Sequence, residues 1–467
     1  MEKHRQPPHI ILIPFPAQGH IIPFLDFSHH LALQNLSLTI VVTPSNLPLL
    51  SPLLSKSPSI QTLSLPFPSS PHLPPGVENS KDLPPSSFGL FIHALSNLYS
   101  PLLSWIRSQT DRPVSAIVSD FFLGWTQPLA KEVGIPRFAF SSSGVLGTAV
   151  LHSLLRRLPQ RLDSTDDSYP ISFPEIPGSP VYFWRQLTFL YRSYMEGDPV
   201  SEAVRQSFLW NFESSGFVSN TFKALDRVYL EKPLEDLGFR KIWAVGPLTP
   251  IDGGISRGGV MSVSASEVML WLDRFDEGSV VYISFGSQAV LPPMQATVLA
   301  AALEKSGLHF VWAMRDSTTL PEGFEERIAN VKRGMIIKGW APQVAILSHH
   351  AVGWFLTHCG WNSVLEALTA GVVMLTWPMA ADQFVNARFL VEVAGVAVPA
   401  WEGSSEVPRE DELANIMKEA VTLKGTEVRN RAKEMGRKVA EAVSEGGSSY
   451  QELEGFVQEF LKLEVNV

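Results

Sequence analysis

Short apolar runs alternate with longer amphipathic stretches along the first half of the chain. Each run has the length of a strand and is bounded by Pro, Gly or Ser, which is typical of a buried strand. The stretches between them, such as His20–Gln34 and Phe88–Ser108, show helical spacing of apolar residues. Strands that alternate with helices indicate a parallel sheet covered on both faces. The predicted strands are Ile10–Ile13, Leu38–Val42, Ile60–Leu65, Ala116–Ser119 and Arg137–Phe140.

A second series of strands and helices follows a change in composition. The stretch around Trp243–Ser262 is rich in Gly, Pro and Ser and has little apolar periodicity, which predicts an interdomain linker. Two doubly wound α/β domains with a ligand cleft between them are therefore expected, since parallel sheets bind ligands beyond the carboxyl ends of their strands. The predicted strands of the second series are Val280–Phe285, His309–Ala313, Met335–Lys338, Gly353–Leu356, Val372–Thr376 and Val396–Val398.

These patterns predict the division of the chain into domains. Residues 1–241 form the first domain, residues 242–262 the linker and residues 263–445 the second domain. Residues 446–467 form a last helix that we expect to pack back on the first domain, and Ser449 with Glu452 fits a capping box at its start.

Composition narrows the class of protein. A chain of 467 residues is long enough for two domains, and 45% hydrophobic residues exclude wholesale disorder. The net charge of −9 and the lack of a basic stripe argue against a nucleic-acid partner. The single cysteine, Cys359, excludes an intramolecular disulfide, and no apolar run approaches the roughly 20 residues of a membrane span. We expect a soluble, cytoplasmic monomer that does not insert into membranes.

The most informative segment is Trp340–Gln383, which reads WAPQVAILSHHAVGWFLTHCGWNSVLEALTAGVVMLTWPMAADQ. Within it, an apolar strand leads through a turn of small residues into a helix that ends at Gly371. This geometry presents backbone N–H groups and a helix dipole to a phosphate, and His358, Asn362 and Ser363 add donors. The alternative is that Asn362 and Ser363 only cap the helix and that His358 is a core histidine.

This segment resembles the donor-binding signature of plant UDP-sugar glycosyltransferases, the plant secondary-product glycosyltransferase box. The resemblance extends through PFPAQGHIIPFLDF, IVSDFF, VGPL and SVVYISFGS, and thus over nearly the whole chain. LTWPMAADQFVNARFLVE and EGGSSY are similar to the branch that acts on flavonols, hydroxybenzoates and related phenols. The resemblance implies the GT-B fold, in which two Rossmann-like domains face each other across a cleft. The second domain then holds mainly the UDP-sugar and the first mainly the acceptor.

The resemblance also implies roles for individual residues of the donor site. Gln383 favours UDP-glucose, because the family commonly has Gln there in glucose users and His in some galactose and rhamnose users; UDP-xylose and UDP-rhamnose remain alternative donors. The implied roles are uracil stacking by Trp340, nucleoside contact by Gln343, ribose binding by Glu366, diphosphate binding by His358, Gly360, Asn362, Ser363 and Ser287, sugar contacts by Trp361, Asp382 and Gln383, and a contact of Ser142 with the sugar or phosphate.

The expected catalytic residues lie in the first domain. His20 begins the first helix, and a helix start disfavours the imidazolium, so this histidine suits a general base. Asp120 ends a strand, where its carboxylate can hydrogen-bond the other ring nitrogen and fix the tautomer, as in a hydrolase triad. The family match implies both roles. Nearby aromatic residues wall a flat acceptor or pack in the core: Phe15, Phe121, Phe122 and Phe140.

The sequence favours a reaction without a metal or other cofactor. The pairs His29-His30 and His349-His350 lack ligand spacing, and no Asp-x-Asp motif occurs. The diphosphate leaving group would instead be stabilised by a helix dipole and side-chain donors.

The predicted function is inverting transfer of glucose from UDP-glucose to a small phenol, such as a flavonoid, hydroxybenzoate or coumarin, to give a β-O-glucoside. One alternative is an NAD(P)-dependent oxidoreductase, although Pro14–Gly19 lacks the Gly-x-Gly-x-x-Gly pattern. The other is a protein that binds a phenol or a UDP-sugar without turnover.

Overall fold

The computed structural model describes residues 6–251, 261–422 and 425–463. The chain divides into two compact units, one of Met1–Ile251 with Ala442–Val467 and one of Asp252–Glu441. Residues 252–260 of the predicted linker and residues 464–467 of the predicted last segment lie outside the described residues. Among the helices of the described ranges, none is long and apolar enough to cross a membrane.

The first unit is built on a parallel sheet of seven strands in the order β3-β2-β1-β4-β5-β8-β9. Strands β1 and β5 are buried throughout, as expected for a sheet covered on both faces. A short antiparallel hairpin, β6-β7, lies outside this sheet. The strands are β1 (His9–Ile13), β2 (Ser37–Val42), β3 (Gln61–Ser64), β4 (Val114–Asp120), β5 (Arg137–Ser141), β6 (Pro170–Ser172), β7 (Val181–Phe183), β8 (Gly216–Ser219) and β9 (Ile242–Ala244).

Helices connect these strands and cover the sheet. The core between sheet and helices is rich in aromatic residues, among them Phe24 and Phe27 of the first helix. The helices of the first unit are α1 (Gln18–Ala32), α2 (Ser51–Lys56), α3 (Phe88–Leu95), α4 (Tyr99–Ser108), α5 (Thr126–Val133), α6 (Val145–Arg157), α7 (Phe189–Arg192), α8 (Pro199–Trp210) and α9 (Lys223–Leu230).

The second unit has a parallel sheet of six strands in the order β12-β11-β10-β13-β14-β15. These strands are β10 (Val280–Ser284), β11 (His309–Met314), β12 (Gly334–Lys338), β13 (Val352–Thr357), β14 (Val373–Thr376) and β15 (Ala397–Pro399). The helices are α10 (Ala265–Leu272), α11 (Pro293–Ser306), α12 (Phe324–Val331), α13 (Gln343–Ser348), α14 (Trp361–Ala370), α15 (Gln383–Arg388), α16 (Glu410–Thr422) and α17 (Gly425–Val443).

Each strand expected from the sequence is present, with ends that differ by one or two residues. Strands β8 and β9 were not predicted, and β9 begins at Ile242, inside the range expected to be linker. Strand β8 has only two large apolar residues, Phe217 and Val218, whereas β9 lies in the apolar run Ile242–Val245 at the start of the stretch assigned to the linker. Both strands extend the sheet beyond β5 through parallel pairing.

The last helix, α18 (Ser448–Lys462), contacts the sheet of the first unit. Phe456 packs edge-on against Phe138, with ring centroids 5.1 Å apart, and against Trp243 at 5.2 Å. The expected capping box is wrong, because Gly447 is the N-cap residue and makes no side-chain cap. The Ser449 hydroxyl instead donates to the carbonyl of Gly246, at 2.6 Å, just beyond β9.

Candidate active site

The parallel sheet of the first unit brings His20 and Asp120 together. His20 lies in the first turn of α1, which follows β1, and Asp120 is the last residue of β4. Strands β1 and β4 are neighbours, with Ile13 opposite Ser119, so both side chains lie at the carboxyl edge of the sheet. Nδ1 of His20 is 2.8 Å from Oδ2 of Asp120.

Burial fixes the orientation of this pair. The Asp120 side chain is fully buried, whereas the His20 side chain is 17% exposed. The second carboxylate oxygen of Asp120 accepts from the backbone N–H of Phe122 at 2.9 Å. Because a carboxylate accepts hydrogen bonds, Nδ1 of His20 carries the proton, and Nε2 is the nitrogen that can take a proton from a substrate.

Aromatic rings surround the imidazole of His20. Phe122 stacks on it with ring centroids 4.7 Å apart and an interplanar angle of 28°, and Phe121 lies at 5.6 Å. Phe15 approaches with its edge at 5.3 Å. These three predicted wall residues thus lie together at the histidine.

Phe140 is not part of this aromatic group. It is fully buried, with its ring 4.9 Å from that of Phe24 and 5.2 Å from that of Phe27, in the core beneath α1. Phe140 therefore takes the second of the two roles that the sequence left open and packs in the core, because its side chain is on the face of β5 that α1 covers.

Ser142 lies next to the pair formed by His20 and Asp120. It is buried just beyond β5, and its hydroxyl oxygen is 3.1 Å from Nδ1 of His20. The sequence suggested a contact with the donor sugar or phosphate for this residue. The geometry adds a second contact, a hydroxyl beside the nitrogen that also faces Asp120.

In the second unit, β13 leads through a tight turn into α14. Cys359, in this turn, has φ +63°, a backbone conformation that residues other than glycine rarely adopt. Its backbone N–H donates to the Thr357 hydroxyl at 3.2 Å, and its carbonyl accepts from the side-chain amide of Asn386 at 3.0 Å. These two contacts hold the turn, so that α14 begins at Trp361 directly beside His358.

His358 lies between two glycines that leave room for its ring. A Cβ atom added to Gly286 or to Gly360 would lie 2.5 Å from Nε2 of His358. Gly360 was expected to let the backbone approach a phosphate, but its close neighbour is this imidazole. Burial lowers the pKa of His358 to about 4, so the ring is neutral near pH 7. Its Nδ1 is buried without a hydrogen-bond partner in the described structure.

Three predicted residues of the donor site, Gln343, Ser363 and Glu366, form one hydrogen-bond network. The Gln343 amide nitrogen donates to Oγ of Ser363 at 3.0 Å and to a carboxylate oxygen of Glu366 at 2.7 Å. The Gln343 amide oxygen accepts from the hydroxyl of Tyr282 at 3.2 Å, and burial raises the pKa of that hydroxyl. The Gln343 side chain, expected to contact the nucleoside, therefore orients Glu366.

The remaining predicted donor residues lie at the carboxyl edge of this sheet or near it. Trp340 follows β12 and is half-buried, and Ser287 follows β10. Trp361 is buried except for 5% of its surface, which limits what it can offer a sugar. Asp382 precedes α15, and the Gln383 side-chain oxygen accepts from the backbone N–H groups of Met379 and Ala380, both at 2.9 Å.

Sequence reasoning missed two residues that support the site. Asn386 holds the turn before α14, and Tyr282 holds Gln343. The available signal was a polar group among apolar neighbours, Asn386 between Val385 and Ala387 and Tyr282 between Val281 and Ile283. A buried polar group needs a partner, but the sequence does not identify which one.

No group of three or more His, Cys, Asp and Glu side chains in the described ranges is arranged to hold a metal ion.

Comparisons with known proteins identify the family. The sequence model of the family described as UDP-glucoronosyl and UDP-glucosyl transferase matches residues 254–423. Flavonol 3-O-glucosyltransferase UGT89B1 of Arabidopsis thaliana is 51% identical over 468 residues, which cover 98% of this chain and 97% of the relative. The crystal structure of Arabidopsis thaliana UGT89C1 complexed with UDP-L-rhamnose has a TM-score of 0.81 at 35% identity and covers 98% of this chain and 100% of that one. UGT89C1 complexed with quercetin has a TM-score of 0.78 at 34% identity, with 97% and 99% covered.

The chain belongs to the plant UDP-glycosyltransferase family, and it is a glycosyltransferase. The predicted fold class, GT-B with two Rossmann-like parallel sheets, is confirmed by these structural neighbours.

Proposed function

We propose that this enzyme transfers glucose from UDP-glucose to a hydroxyl group of a flavonol or similar phenol and releases a β-O-glucoside. The observation that carries the proposal is the hydrogen bond of 2.8 Å between His20 and Asp120 within a group of aromatic rings. A flat phenol fits such surroundings, because ring stacking and apolar burial stabilise it while one polar group faces its hydroxyl.

In the proposed mechanism, Nε2 of His20 takes the proton of the phenolic hydroxyl as the oxygen attacks the anomeric carbon of the sugar. The new C–O bond forms on the face opposite UDP, and the electron pair of the broken bond goes to the diphosphate. An α-linked donor thus gives a β-linked product. Asp120 stabilises the imidazolium that forms, since its carboxylate already holds Nδ1–H.

The second unit supplies the proposed donor site. The positive end of the α14 dipole favours the charge of a diphosphate, and the buried Nδ1 of His358 lies just before this helix and is without a partner in the described structure. Glu366, oriented by Gln343, can accept from two ribose hydroxyls. We propose that these groups stabilise the leaving UDP without a metal ion or other cofactor.

The proposed choice of donor depends on Gln383. Its amide oxygen is bound to two backbone N–H groups, so its NH2 group is the end that can donate to a sugar hydroxyl. A relative named as a glucosyltransferase at 51% identity supports glucose. UDP-rhamnose is the second candidate, because a neighbour at 35% identity was crystallised with UDP-L-rhamnose.

A mass-spectrometric screen tests the proposal. Purified protein is offered UDP-glucose, UDP-xylose, UDP-galactose or UDP-rhamnose with a panel of flavonols, hydroxybenzoates and coumarins. We expect glucosides with UDP-glucose, and a product only with another donor would refute the proposed sugar. The variant His20→Ala is expected to reduce kcat at least about a hundredfold while UDP binding persists. Unchanged turnover would refute the assignment of the base.

A further inference from the structure

Arg137 is the one charged residue of β5. It is the first residue of β5, and its side chain is fully buried. Removing a guanidinium from water is unfavourable unless it finds close partners, so the position requires an explanation that apolar packing does not give. The proposed mechanism assigns it no role.

The partners of Arg137 flank the carboxylate at the proposed catalytic centre. Its Nε donates to the hydroxyl of Ser119 at 2.9 Å, and one terminal nitrogen donates to the side-chain oxygen of Asn211 at 2.9 Å. Asn211, also fully buried, donates to the backbone carbonyl of Phe121 at 2.8 Å. Ser119 and Phe121 are the residues immediately before and after Asp120. One guanidinium thus connects to both sides of that carboxylate.

The charges of Arg137 and Asp120 also interact. Burial lowers the pKa of Arg137 to about 9, while the negative charge of Asp120 opposes this change. The guanidinium therefore remains protonated near pH 7. The other terminal nitrogen of Arg137 is buried without a hydrogen-bond partner in the described structure, which adds to the cost of burying the guanidinium.

We propose that Arg137 and Asn211 are positioning residues that hold the segment Ser119–Phe121, so that Asp120 keeps the proton of His20 on Nδ1. This proposal deepens the proposed function and rests on it for its kinetic part. Without the guanidinium, Ser119 and Asn211 each lose a donor, so the segment Ser119–Phe121 can shift and displace the Asp120 carboxylate from Nδ1 of His20. The carboxylate then holds Nδ1–H less firmly, and Nε2 is less available as a base.

Four variants test the proposal: Arg137→Met, Arg137→Lys, Asn211→Ala and, as a matched control, Arg156→Met. Arg156 is in the same unit and pairs with Glu235 and with Asp236, the latter at 2.9 Å. We expect Arg137→Met to lower kcat about thirtyfold or more, with the KM for UDP-glucose and the affinity for UDP changed less than about twofold. Arg137→Lys should recover part of kcat, Asn211→Ala should lower it about tenfold, and Arg156→Met should change only the thermal midpoint.

A second readout does not depend on turnover. In a spectrum of the 15N-labelled histidine side chains, the signal of His20 is identified by its absence in His20→Gln. We expect the Nδ1-protonated form in the wild type, a loss of that form in Arg137→Met and its retention in Arg156→Met. If the wild type makes no glucoside, the proposed function fails, and this spectrum still decides the positioning role.

Other outcomes would overturn the positioning role. Wild-type kcat in Asn211→Ala is one, and a loss of kcat in Arg156→Met equal to that in Arg137→Met is another. Should Arg137→Met fail to fold, Arg137→Lys and Asn211→Ala decide by the same two readouts. A weaker affinity for UDP with unchanged kcat would also contradict the proposal.

Discussion

Nδ1 of His20 lies 2.8 Å from Oδ2 of Asp120, although 100 residues separate the two in the chain. The contact follows from topology, because β1 and β4 are neighbours in the sheet. His20 lies just after the carboxyl end of β1, and Asp120 is the last residue of β4. The second carboxylate oxygen is already bound to the backbone N–H of Phe122. The carboxylate can therefore neither rotate freely nor leave the imidazole without losing a buried hydrogen bond.

Asp120→Asn should produce the wrong tautomer of His20. The N–H of Phe122 requires an acceptor, so the amide oxygen of the new side chain will face it and the NH2 group will face Nδ1. His20 must then carry its proton on Nε2 and cannot take one from a phenol. We expect kcat to fall by about 10²- to 10⁴-fold, with the affinity for UDP unchanged by titration calorimetry. A variant that retains more than about a tenth of wild-type kcat would show that Asp120 does not set the tautomer.

Ser142→Ala separates two roles for this hydroxyl. A serine 3.1 Å from Nδ1 of His20 helps to fix the ring, so its loss should lower kcat about tenfold. A contact with the donor would instead appear as a higher KM for UDP-glucose. Ser143→Ala is the matched control, because Ser141, Ser142 and Ser143 are consecutive and the sequence did not show which faces the site. Equal kinetics for the two variants would remove Ser142 from the site.

Gln383→Glu tests the sugar contact while keeping the local fold. The new carboxylate still accepts from the N–H groups of Met379 and Ala380, but it has no NH2 group for a sugar hydroxyl. We expect kcat/KM for UDP-glucose to fall about tenfold to a hundredfold. Titration with UDP, which lacks the sugar, measures any repulsion of the diphosphate by the new charge. A loss that appears equally with UDP would mean that Gln383 does not select the sugar.

The sequence predicted the site more fully than it predicted the supports of the site. Strand ends and helix starts are visible as apolar runs that stop at Pro, Gly or Asp, so His20 and Asp120 could be placed at one edge of a sheet. Strand β8 has no run of this length, and the apolar run that contains β9 was assigned to the linker, whose Gly- and Pro-rich sequence follows it directly. The predicted capping role of Ser449 was wrong because its hydroxyl donates to the Gly246 carbonyl, a partner about 200 residues away in the chain.

The sequence also does not show the direction of a side chain when that direction depends on packing against other elements. Phe140 and Phe122 are both aromatic residues near a strand end, but Phe140 lies within β5 and packs against Phe24 of α1, whereas Phe122 follows β4 and stacks on His20. A buried charge such as Arg137 is visible in the sequence as an anomaly. Its partners, Ser119 and Asn211, come from other elements and require the assembled fold.

Asn386→Ala should weaken UDP binding without touching the nucleotide directly. The Asn386 amide holds the Cys359 carbonyl, and Cys359 is in a strained backbone conformation that needs such support. Without it the turn before α14 relaxes, and we expect the Kd for UDP to rise about tenfold. Asn97→Ala removes a similar bond, from a side-chain amide to the Ala94 carbonyl, in the first unit. It should leave the Kd unchanged, and an equal effect in both variants would point to a general loss of stability.

Asp226→Asn should change how stability depends on pH. Asp226 is buried and accepts from the N–H of Val145 and the hydroxyl of Thr221, but burial raises its pKa from 3.8 to about 6. Between these two values the folded protein keeps a proton that the unfolded chain releases. The contribution of Asp226 to the free energy of unfolding is therefore greatest below pH 3.8 and is lost as the pH rises through about 6.

A neutral asparagine lacks this dependence on pH. Between pH 4 and pH 7 the wild type should therefore lose about 2–3 kcal/mol of its free energy of unfolding relative to Asp226→Asn. Urea unfolding followed by tryptophan fluorescence at both pH values measures it. Asp198→Asn is the control with the opposite sign, because the backbone N–H of Ser201 lowers the pKa of Asp198. A difference for Asp226→Asn that is the same at both pH values would mean that this carboxylate titrates in the folded protein as it does in the unfolded chain.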